Sequence, residues 1–169
     1  IGIDSFLSKM IGKVKVIVLP LSGRRCYQGD ALCSMIREEG ILHVVFPVSG
    51  SVLSANEKLK EEPELVTKDP LGEGYLVTLR PKNFQRDQKH LFSGEAAVSW
   101  YQREWERFKA AVVSELTIDQ RGLGITMQDG EIGLGNIERL IDTERYIQLV
   151  SNFLRKGEKV LSGKGEKGV

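Results

Sequence analysis

Two short stretches hold the residues best placed to do chemistry. Val18-Leu19-Pro20-Leu21-Ser22-Gly23 and Val45-Phe46-Pro47-Val48-Ser49-Gly50 share Val, Pro, Ser and Gly at equivalent places, 27 residues apart. Each closes an apolar run that reads as a buried strand, and each precedes a segment able to form a helix. A loop that leaves a strand and enters a helix exposes unpaired N–H groups and the positive end of a helix dipole. Ser22, Gly23, Ser49 and Gly50 are therefore candidate anion-binding loops, with Arg24 and Arg25 as counter-charges. The plainer reading is that Pro-x-Ser-Gly is a way of turning at a strand end.

A wider cationic set follows from the same placement. If the strands run parallel, Arg24, Arg25, Arg80, Lys82, Arg86 and Lys89 gather near their ends, and Trp100, Arg103 and Arg107 continue the patch along a helix. Exposed rings beside a cationic groove recognise unpaired bases. This set points to a non-enzymatic protein that binds single-stranded RNA or DNA. Two alternatives stand beside it. One is a phospho-ligand domain or enzyme at the Ser-Gly loops. The other is an oligomeric structural protein, such as a viral matrix or capsid-associated component, sharing residues 3–11 or a 123–134 hairpin between copies.

Other chemistries lack their residues. There are two histidines: His43 lies in an apolar run and reads as a core histidine, and His90 lies in a basic loop. No zinc, calcium, Walker or nucleophile-elbow pattern occurs, so neither a metal nor a cofactor is expected. Cys26 beside Arg24 and Arg25 is a candidate thiolate, but no base is placed next to it. The balance leans away from an enzyme.

The elements that must position these residues come from periodicity. The chain has 169 residues, 41% of them apolar, and a formal net charge of +1. That suits one domain over 1–156 and an unstructured basic tail over 157–169. Charge is zoned: +4 over 1–28, −5 over 29–79, +3 over 80–109, −4 over 110–150 and +3 over 151–169. Asp4 or Ser5 caps a short helix with Ile3, Phe6, Leu7, Met10 and Ile11 on one stripe. Val14–Leu19 and Ile41–Phe46 are strands, and between them Asp30 caps a helix through Leu32, Met35 and Ile36, making a βαβ unit, with antiparallel pairing of the two strands as the alternative. Ser54 or Asn56 starts a weak helix through Glu62, within an acidic stretch that reads as the most flexible loop. Tyr75–Leu79 is a third strand. In the polar run Arg80–His90, Phe84 is the apolar anchor. Ser93 caps the longest helix, 94–116, with Ala97, Tyr101, Trp105, Phe108, Val112 and Leu116 on one face. A hairpin over 122–135 and a helix over 137–154 complete the chain. The fold class is α/β or α+β: a small central sheet of about three strands plus a β-hairpin, packed with four to five helices. No apolar run reaches membrane-span length, and two cysteines without a bridging spacing point to the cytoplasm or another reducing compartment.

Overall fold

The computed structural model describes residues 1–38, 40–118 and 141–161. The fold class is the mixed one that periodicity predicts, built on two three-stranded antiparallel sheets. The first has the order β1-β3-β4, from Val16–Val18, Ala31–Ile36 and Ile41–Val45. The second has the order β2-β5-β6, from Arg25–Cys26, Gly50–Ala55 and Val77–Pro81.

The expected βαβ unit is not formed. Residues 31–36 are a strand, antiparallel to both β1 and β4. The misleading signal has a local cause. A bulge between Ala31 and Cys33 puts Leu32 and Cys33 both inside, and Met35 follows. Two adjacent inward residues break the period of two, and the resulting apolar spacing imitates a helix. Gly40, which reads as a helix stop, belongs instead to the β3–β4 turn.

In the first sheet, directly paired residues share a face. Ile17, Met35 and Leu42 form a buried row, while Val16, Ile36 and Ile41 form an outer one. Helix α1, Ser5–Ile11, packs its Met10 and Ile11 fully into the core. The Asp4 carboxylate accepts from the Leu7 N–H at 2.7 Å, which makes Asp4, of the two candidates, the N-cap, and Gly12 ends the helix at φ 57°.

The acidic stretch is folded. It carries α2, Lys58–Glu61, and α3, Leu65–Lys68, whose Leu59 and Val66 have no exposure. The Asn56 side chain pins its far end by donating to the carbonyls of Glu73 and Tyr75. After β6 come α4, Phe84–Asp87, and a 3-10 turn. Phe84, the expected anchor, is half exposed; the buried residue there is Asp87.

Helix α5 runs Gly94–Ile118, as its apolar stripe predicts, with Phe108 and Val112 buried. Helix α6 runs Thr143–Leu161, past the expected end at 154 and into the segment expected to be unstructured; residues 137–140 of the expected helix lie outside the described residues. The 122–135 hairpin lies outside the described residues. Phe6 of α1 joins the helices, meeting Tyr101, Trp105, Phe108 and Phe153 edge-on at 5.9–6.3 Å. The Tyr146 hydroxyl on α6 donates to the Met10 carbonyl at 3.0 Å. Among the described residues, no helix is long and apolar enough to cross a membrane.

Candidate functional site

The two Ser-Gly stretches meet the same sheet, but as structural joints. Gly23, at φ 83°, donates its N–H to the Val52 carbonyl at 2.8 Å, fixing the turn into β2. Gly50 lies between Cys26 and Pro81 in the ladder, and a β-carbon there would fall on the Arg80 carbonyl oxygen.

Ser49 is spent inside the protein. Its N–H donates to the buried Asp87 carboxylate at 2.6 Å, and its hydroxyl accepts from Arg86 at 2.9 Å and from the Gln28 N–H at 3.0 Å. Burial pushes the Asp87 carboxyl up. The hydrogen bonds from Ser49 and the Arg86 guanidinium outweigh it and hold the group below the usual carboxylate range. The anion in this pocket is the protein's own.

The predicted cations are divided. Arg25, Ser51 and Arg80 form one row on the outer face of the second sheet. Arg24 leans over the Phe46 ring at 5.9 Å. Arg86 is bonded to Asp87. Arg107 lies over Phe153 at 4.2 Å and pairs with Glu104. Trp100 stacks on Phe92 at 5.8 Å, so that ring face is covered. Lys82, Lys89 and Arg103 are exposed on separate elements. Arg86 and Arg107, both members of the expected cationic set, are occupied by internal partners.

The cysteines are inert. Both are free and buried. Burial raises the thiol of Cys26, and that of Cys33 to about 12, so neither forms a thiolate near neutrality. His43 corrects the core reading: it is exposed, and its Nδ1 lies 3.0 Å from the Ser34 hydroxyl. An open groove of about 400 Å³ runs along β6, lined by Ile1, Val48, Tyr75, Val77, Leu79 and Phe84 among others; Tyr75 is its one titratable side chain. No group of three metal-ligating side chains occurs among the described residues.

Two features of the first sheet remain. The first sheet presents Val16, Val18 and Ile41, each about half exposed, around Ser34 and His43. At the end of that sheet stands the β3–β4 turn, closed by the Arg37 N–H donating to the Gly40 carbonyl at 2.9 Å. This pairing of an apolar sheet face and a tight hairpin end is the candidate site.

The family profile described as "Glycine cleavage H-protein" matches residues 1–104. The chain belongs to this family. Sequence relatives agree. It is 33% identical over 95 residues to the probable glycine cleavage system H protein of Pyrococcus horikoshii, covering 56% of this chain and 70% of that one. It is 34% identical over 96 residues to that of Thermococcus gammatolerans, covering 57% and 71%. With the glycine cleavage system H protein of Thermotoga maritima it shares 38% over 79 residues, covering 47% and 64%. A crystal structure of the H protein from Mycobacterium marinum aligns at a TM-score of 0.46 and 23% identity, covering 48% of this chain and 64% of that one.

Membership in the H-protein family overturns the nucleic-acid, anion-ligand and viral structural readings together. The expected self-association through residues 3–11 also fails physically, because Ile3, Met10 and Ile11 are buried in this H-family domain's own core. Sequence reasoning missed the β3–β4 turn altogether. Its signal was available: Gly40 followed by the β-rich run Ile41–Val45, with a mirror run before it.

Proposed function

We propose that this chain is a non-enzymatic component of the glycine cleavage system, docking on that system's enzymes through the outer face of its first sheet. Family membership over residues 1–104 carries the reading. The sheet face supports it: Val16, Val18 and Ile41 are β-branched residues standing about half exposed on a rigid ladder, and such a patch suits protein contact. The buried free thiols fit a reducing compartment such as the cytoplasm.

The test immobilises the full chain and measures binding of the purified P, T and L proteins of a glycine cleavage system. Binding to at least one is expected, weakened at least tenfold by Val18→Lys with the melting temperature held. Failure to bind any of the three sinks the reading.

A further inference from the structure

The family implies a lipoyl group. Such a group is joined by an amide between its carboxyl and a lysine Nζ, so the chain must supply an exposed amine. The arm has to enter a partner's active site, which favours a lysine on a narrow, rigid projection; a helix flank presents the broad side of the domain. Among the described residues, β3–β4 is the one strand pair within a sheet joined by a tight turn.

The residues there do not fit the group. The turn reads Arg37-Glu38-Glu39-Gly40 and contains no lysine. A guanidinium stays protonated at neutral pH and is no acyl acceptor, and carboxylates are none either. The amine that pairs with this turn is Lys15, whose Nζ lies 3.0 Å from the Glu38 carboxylate. Every other lysine in the family-matched segment sits on, or within two residues of, a helix or the 3-10 turn.

The turn is also closed from one side. A β-carbon on Gly40 would lie 3.0 Å from Ile147 Cγ2 on α6, and Arg37 and Ile147 are both buried. Helix α6 lies beyond the family-matched segment. The end of the hairpin therefore abuts a helix outside that segment.

We infer that this chain carries no lipoyl arm, and that its β3–β4 turn is a seat for its own C-terminal helix instead of an attachment point. The inference rests on family membership alone, not on the docking proposed above. The experiment incubates the full chain with lipoate, ATP and a lipoate–protein ligase, beside the Thermotoga maritima H protein as a lipoylation control. The readout is intact mass with peptide mapping. The control should gain one lipoyl group and this chain none, with its circular dichroism showing it folded. A lipoyl mass on this chain, on Lys15 or any other lysine, overturns the inference. Binding is scored separately: a chain that stays unmodified and binds no glycine cleavage enzyme keeps this inference and loses the docking one. A chain that is lipoylated loses this inference whatever it binds.

Discussion

The backbone N–H of Ser49 donates to the Asp87 carboxylate at 2.6 Å, joining the strand-end loop before β5 to a helix 38 residues away. The carboxylate also accepts from Arg86 at 2.8 Å. Replacing Asp87 with Ala leaves a buried N–H without its acceptor. The expected loss is about 2 kcal/mol, read from urea unfolding. Because the folded carboxyl is held below its ordinary value of 3.8, its contribution is complete above that pH and is lost as the pH falls below it. Asp87→Asn should flatten that acid limb while leaving stability at pH 7 between the two other proteins. An unchanged limb would show that other carboxylates set it.

Gly50 is required for a different reason. A methyl group there meets the Arg80 carbonyl, a backbone group, so the β5–β6 ladder itself must shift to admit it. Gly50→Ala should cost about 1–3 kcal/mol by overpacking. Gly23→Ala is a useful contrast, since space is open but φ is 83°. Its cost is conformational and should be about 1 kcal/mol. Equal losses at the two sites would contradict the steric account of Gly50.

Ile147 is the contact that seats α6 on the hairpin. Truncating it to Ala removes buried methyl groups, and about 2–5 kcal/mol of stability should go with them. Amide hydrogen exchange gives the sharper reading. The Arg37 N–H that closes the turn should exchange faster in the variant, while the Met35 region of the ladder stays protected. Uniform loosening of the whole sheet would count against a local seat.

The two thiols should be silent in the folded protein. At pH 8, a disulfide reagent should modify neither Cys26 nor Cys33 within minutes, and both at once in denaturant, because buried thiols with raised pKa offer no thiolate. Fast native labelling of one cysteine would mean that its strand opens readily.

Much of the frame was legible in the residues. The Asp4 cap, the Gly12 stop and the long stripe from Ala97 to Val112 each announce a local structure formed by near neighbours. The strand at Ala31–Ile36 was hidden because its bulge erased the alternation that marks a strand. The site was less legible still. Little local distinguishes Asp87 from a solvated acid, since the Ser49 N–H that donates to its carboxylate lies 38 residues away. Arg86 and Arg107 looked like free cations because a chain shows charge but not the Ser49 hydroxyl or the Phe153 ring that receives it. The β3–β4 turn acquires meaning only when the strands on either side are known to be paired.

The bond from Tyr146 to the Met10 carbonyl joins residues 136 positions apart. During synthesis, the first helix leaves the ribosome long before the ring that covers it, and Phe6 likewise waits for Phe153. The small sheets can assemble early, but their helical cover must close late and over a long loop. A stalled or shortened chain would thus expose the Phe6 face to chaperones and proteases, and cellular quality control would see the loss of the last helix before any binding assay did.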